Sequence, residues 1–187
     1  MNKKVLVLVT SVVVLIGISV LSIYSVSATP INSDISYGVK YTGIACEQVI
    51  RVDGTVEDLG CQHNLVTNRG LEIVKTALNG TAGFWNLTNL TVGGNTTPQS
   101  AADTSLANAF ATNGLAPVLA TYTVMGTGNS SLNYQWTVAT AQSTVNTTGI
   151  YNQTSANTNF FAEAYWTPAT VLQIGDKLNV TYYWWVA

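Results

Sequence analysis

Beyond residue 34 the chain is dominated by short runs in which apolar and polar positions alternate at period two. Ile35-Ser-Tyr-Gly-Val-Lys-Tyr41 places Ile35, Tyr37, Val39 and Tyr41 on one face, the pattern of a half-buried strand. Residues 48–52 and 55–59 flank Asp53-Gly54, a strong short hairpin signal. One segment has helical spacing instead. Asn68 is the expected cap of a helix over residues 69–78, with Leu71, Val74 and Leu78 on one face, Glu72 and Lys75 as an i,i+3 pair, and Gly80 as the stop. Strands are expected again at 84–92, 118–125, 132–140, 145–151, 160–166 and 178–186, with a polar loop over 94–105 and a short helical turn over 106–111. Pro168 and clusters of Gly, Asn and Ser separate these runs.

Strands recurring at this spacing predict a mainly all-β fold, an antiparallel Ig-like or jelly-roll-like β-sandwich with one short helix near 69–78. The last strand carries Tyr182, Tyr183, Trp184 and Trp185 and so is aromatic on both faces. It is expected either as a central strand covered on both sides or as one that meets a partner.

The N-terminus reads as an export signal preceding that fold. Asn2-Lys3-Lys4 is basic, residues 5–23 are almost wholly apolar, and Val26-Ser27-Ala28 offers small residues for cleavage. The expected organisation is a signal helix over 1–28, a segment over 29–45 and a sandwich over 46–187. An uncleaved membrane anchor is the alternative, since the apolar run is long enough to span a bilayer. Cleavage leaves no second run of that length, so the mature protein is expected outside the cell and off the membrane.

In an exported chain two cysteines predict a disulfide. A two-residue turn at Asp53-Gly54 pairs Val52 with Thr55, and continuing that register places Cys46 opposite Cys61, close enough to bridge. Whether the two form a wide or a narrow pair stays open.

Charge removes function classes. Charged residues make up 9% of the chain. After residue 28 there are five Lys or Arg against nine acids, a net charge of −4, which gives no nucleic-acid-binding surface. His63 is the lone histidine, and with two cysteines it makes no metal site. No nucleophile–base pairing or phosphate loop stands out, so neither an enzyme nor a cofactor protein is expected. Glu163, between Phe161 and Tyr165, is the acid to follow: it either serves a buried lysine or lies on a solvated face. Lys40, Lys75 and Lys177 leave room for a lysine–asparagine isopeptide bond. A surface solubilised by Thr and Asn rather than by ions is expected to tolerate acid.

Asparagine is patterned as well. Sequons occur at Asn79, Asn86, Asn89, Asn95, Asn129, Asn146, Asn152 and Asn179, eight in all and none before residue 79. Composition alone would give roughly three or four. The chain is expected to carry N-linked glycans over most of its length and to keep its N-terminal end bare.

Several of these stretches together resemble a known module: residues 63–70 (His-Asn-Leu-Val-Thr-Asn-Arg-Gly) leading into the helix, Leu90-Thr-Val-Gly-Gly94, Asn95-Thr-Thr-Pro98, Asp103-Thr-Ser-Leu106, Thr148-Gly-Ile-Tyr151 and Gly175-Asp-Lys-Leu-Asn-Val180. They are similar to the β-sandwich of archaeal extracellular filament subunits of the thread and bundling-pilus type, which phage tail-associated proteins share. The resemblance implies a structural subunit whose sandwich lacks a strand, completed by the N-terminal segment of the next copy, and hence a head-to-tail homopolymer serving adhesion or cell–cell contact. The donor strand it implies is Ile35, Tyr37, Val39 and Tyr41; an ordinary first strand folded into its own sheet is the alternative. The rival functions are a monomeric surface-binding module, with Trp85, Trp136, Trp184 and Trp185 forming a site, and a virion- or tail-like attachment protein.

Overall fold

The computed structural model describes residues 41–78, 87–151 and 159–186. The expected signal helix, Ile35, Tyr37, Val39, Lys40, Gly80, Trp85, and the sequons at Asn79, Asn86 and Asn152 lie outside these residues. Ten strands and a helix follow in order: β1 (Tyr41–Ile50), β2 (Val56–His63), β3 (Leu65–Val66), α1 (Asn68–Leu78), β4 (Asn89–Gly93), β5 (Val118–Leu119), β6 (Thr121–Gly126), β7 (Asn129–Thr137), β8 (Ser143–Tyr151), β9 (Phe160–Leu172) and β10 (Lys177–Val186). They form two five-stranded sheets, β2-β1-β10-β7-β6 and β3-β9-β8-β4-β5, with every described pairing antiparallel. The fold is an all-β sandwich.

Alternation explains the first sheet. Ala45, Glu47 and Val49 of β1 point inward, as do Leu178, Val180, Tyr182 and Trp184 of β10. β10 lies at the centre of its sheet, but only its inner face is covered; Trp185 on the outer face is 37% exposed. Tyr41 begins β1 and pairs with Val186, so the sheet starts earlier than the expected boundary at residue 46.

Cys46 does face Cys61, and the two form a disulfide. The route differs from a two-residue turn. Arg51, not Val52, pairs with Thr55: the Arg51 N–H donates to Thr55 O at 2.8 Å, which leaves Val52-Asp53-Gly54 as a three-residue loop with Gly54 at φ 86°. That shifts the register by one. A bulge at Leu59-Gly60, with Gly60 at φ 78°, shifts it back. The Asn64 N–H donates to Gly43 O, which makes that pair hydrogen-bonded. Three residues further along, Cys46 and Cys61 therefore fall on a narrow pair, with Cα atoms 4.0 Å apart.

The helix corrects the expected face and cap. Thr67, not Asn68, caps α1: its Oγ1 accepts the Gly70 N–H at 3.0 Å. The same hydroxyl donates to the carbonyls of Phe160 and Phe161, at 2.9 and 3.2 Å. The buried face runs through Gly70 and Ile73, with Val74 beside it, whereas Leu71 is 55% exposed. The helix rests its backbone on β9, since a Cβ on Gly70 would stand 2.2 Å from Phe161 O. The Glu72–Lys75 pair is present at 3.4 Å.

Three further expectations change. The strand over 118–125 breaks at buried Ala120, and its halves β5 and β6 join different sheets. Residues 106–111 form no helical turn; Ala109 bridges Gly93, and the Phe110 N–H donates to Val92 O, giving β4 a partial edge. β9 runs on through Pro168. Between the Thr147–Tyr165 and Val145–Thr170 pairs β9 spends three residues more than β8, so the exposed residues 167–169 bulge outward and Pro168 has no ladder bond to lose.

The main core lies between the sheets and includes Trp136, Phe161, Trp166 and Tyr182. The Trp136 indole donates to Ala116 O at 2.9 Å, and the Tyr182 hydroxyl to Thr148 O at 2.8 Å. A smaller cluster of Leu106, Tyr151 and Phe160 lies under the loop that follows β4.

Candidate functional site

The sandwich is not equally closed on all sides. β3 pairs with β9 only at Ala162 and Glu163. From residue 164 to 171 no described strand pairs with that flank of β9, and β2 has no described partner on the side away from β1. The two free flanks border a cavity of about 360 Å³, lined by Glu57, Leu59 and Gln62 on one side and residues 166–171 on the other. Trp166 is 3% exposed, yet among the described residues its indole N–H has no acceptor. A buried donor without a partner is costly, and such donors are rare in finished folds.

Both ends of this seam are fixed. At one end the Tyr41 ring meets Phe161 edge-on, with centroids 5.1 Å apart, and β3 fills the space beside β9. At the other, the Arg51 guanidinium donates to Val171 O at 2.8 Å and to Asp176 at 2.7 Å, and pairs with Glu57. β1 and β9 therefore run in the same direction across the two layers, with a tyrosine pole and an arginine pole. Burial alone would raise the Asp176 pKa. The N–H groups of Gln173 and Val52 and the Arg51 guanidinium outweigh that, so its carboxyl titrates below the ordinary range.

Two carboxyls behave in the opposite way. Glu47 is 1% exposed, on the inner face of β1, and one of its oxygens has no described partner; desolvation pushes its pKa up to about 8. Glu163 is equally buried. Desolvation and a hydrogen bond with Asp103 raise it to about 8, while the Ser100 N–H, 3.1 Å from Oε1, acts the other way. Glu163 thus lies neither beside a lysine nor on a solvated face; it ties the loop at Ser100 and Asp103 to β9. Glu47 was not singled out in the sequence, although the Ala45, Glu47, Val49 alternation places it on the apolar face.

Other expected residues are dispersed. His63 is exposed on β2. Lys75 and Lys177 are exposed, and Lys75 pairs with Glu72. Among the described residues Trp136 and Trp184 are buried and Trp185 is partly exposed, so these three do not share one surface. Among the described residues, no group of three or more His, Cys, Asp or Glu is placed to hold a metal, and no helix is long and apolar enough to cross a membrane.

The sequons also divide. Asn89, Asn95 and Asn146 are buried, and the Asn146 side chain accepts from the Asn95 N–H at 2.8 Å and donates to the Asn95 carbonyl. Asn129 and Asn179 are half-buried in the first sheet, where Asn179 Oδ1 accepts from Asn133 at 2.8 Å.

No protein-family model matches this chain, and no curated protein matches it.

Proposed function

We propose that the protein is a structural subunit of an extracellular filament, polymerised head to tail when the N-terminal segment of one copy enters the seam of the next. The open seam between β2 and β9 carries this reading. It offers unpaired strand edges, the half-buried Leu59 and an indole N–H that needs a carbonyl. An inserted strand satisfies all three. Residues 29–40 are the donor in this reading, with the alternating Ile35, Tyr37 and Val39 as its apolar residues. The donor precedes Tyr41, at the pole where β3 already blocks the seam, so insertion into a neighbour is more direct than folding back. The role in this reading is structural. N-linked sugar in this reading is carried by the sequons that the fold leaves accessible.

The secreted chain from Thr29 should form polymers that resist heat and detergent. Removing residues 29–40 should leave monomers of reduced stability, and a synthetic peptide of residues 29–41 should raise their melting temperature and shift Trp166 fluorescence. A truncated monomer as stable as the intact chain and indifferent to the peptide overturns the proposal.

A further inference from the structure

Exposed large hydrophobic side chains gather at two opposite places. At the arginine pole Val52, Val56 and Ile174 are 68%, 61% and 57% exposed, with Val171 beside them. They surround the Arg51–Asp176 pair: Ile50 is paired with Val56, and a Cβ on Gly175 would touch Val52. At the tyrosine pole Val124 and Met125 are 67% and 59% exposed at the end of β6, and Trp185 is 37% exposed at the end of β10, two strands away in the same sheet. Of the ten large hydrophobics that are exposed among the described residues, only Leu71 on α1 lies away from the two poles and the β5–β6 seam that leads to one of them. The turn over 126–129 (Gly-Thr-Gly-Asn) brings no charge to the tyrosine pole.

We infer that these patches are the two halves of one joint: the tyrosine pole of one copy seats its Val124 and Met125 against Val52 and Ile174 at the arginine pole of the next. The occupant is a second copy of this chain. Two different patches on opposite poles give a heterologous contact that propagates as a fibre rather than closing as a dimer. Chain length supports the contact, and here the inference rests on the strand-donation reading above. The seam from residue 164 to 171 takes about eight extended residues, and residues 29–40 are twelve. With Ile35, Tyr37 and Val39 in the inserted strand, Lys40 alone remains to join it to Tyr41 of its own subunit, a reach of roughly 7 Å. Because the seam is blocked at the tyrosine pole, that linker leaves past Arg51, and the poles must meet. Burying both patches removes from water the apolar surface that a monomer leaves exposed.

Charge substitutions test the joint on the full secreted chain. Val124→Asp and Ile174→Asp, both at exposed positions, should each lower polymer yield at fixed concentration by about tenfold, equivalent to about 1.4 kcal/mol. Their far-ultraviolet spectra and melting as unassembled protein should stay unchanged. Val124→Lys combined with Ile174→Asp should recover most of the yield. Single variants that assemble like the parent, or a charge pair that recovers nothing, overturn the joint. Strand donation is scored separately, by resistance of the polymer to heat and detergent. Resistant polymer with normal yield in both single variants leaves donation standing and removes the joint. Charge-sensitive polymer that detergent dissolves does the reverse, and a chain that stays monomeric removes both.

Discussion

At the scale of single residues, Glu47 and Glu163 set the protein's response to pH. Each has a folded-state pKa of about 8, well above that of an exposed glutamate. Between an unfolded value of about 4.5 and 8 the folded state holds protons that the unfolded chain has lost, so stability falls as pH rises. The slope is at most about 1.4 kcal/mol per pH unit for each group. Below that window the contribution is fully present, and above it fully lost. Asp176 works the other way, and its contribution disappears only as pH falls through its lowered value. Maximum stability is therefore expected near pH 4, roughly where the two effects cross. Glu47→Gln should flatten the profile, making the protein more stable than the parent at pH 8 and little changed at pH 5, by chemical denaturation at both. An equal effect at the two pH values would show that Glu47 is ionised in the folded protein. The sequence held part of this. A surface poor in ions suggested acid tolerance, but burial of the carboxyls depends on which strands lie opposite, and no local pattern states that.

At the scale of elements, legibility followed the range of the interaction. Strand-forming runs between turn residues located β8 and β10, although β8 is buried on both faces and β10 on one; β1 was only partly anticipated, by the alternation ending at Tyr41 and the hairpin strand from residue 48. Period-two alternation missed the break at Ala120, where the same alternation serves two sheets in turn. The Cys46–Cys61 pairing was reached through a two-residue turn that does not exist, and it holds because the three-residue loop and the bulge at Leu59-Gly60 cancel. The cap of α1 was misplaced by one residue. Asn68 has the better intrinsic preference, but Thr67 is buried against β9, and only Thr67 can also satisfy the carbonyls of Phe160 and Phe161. Thr67→Ala should consequently cost about 1–2 kcal/mol. Asn68→Ala, at an exposed position, should be close to neutral. Urea denaturation of the pair distinguishes the two caps. Gly70→Ala should cost about 1–3 kcal/mol, because its methyl group would force the helix off the Phe161 carbonyl.

At the scale of the whole molecule, the disulfide and the seam are mechanically one feature. Cys46–Cys61 lies on the outer face of the first sheet and clamps β2, the sheet's edge strand, to β1. β2 is also one wall of the seam, tied towards β9 through Glu57, whose partner Arg51 donates to Val171 O, and through the short turn into β3. The alternating segment and the cysteines were legible in the sequence. The gap between β2 and β9 was not, because a missing strand is a property of two sheets together. Reduction should cost the sandwich about 3 kcal/mol through its 15-residue separation. It should also free β2 to swing away from β9, so a chain reduced before assembly should capture the donor peptide of residues 29–41 more weakly than the oxidised chain. Polymer assembled first and reduced afterwards should be protected, because the inserted strand then bridges both walls. Comparing the heat resistance of the two preparations measures this order effect. Equal loss in both would mean that the disulfide stabilises each subunit without shaping the seam.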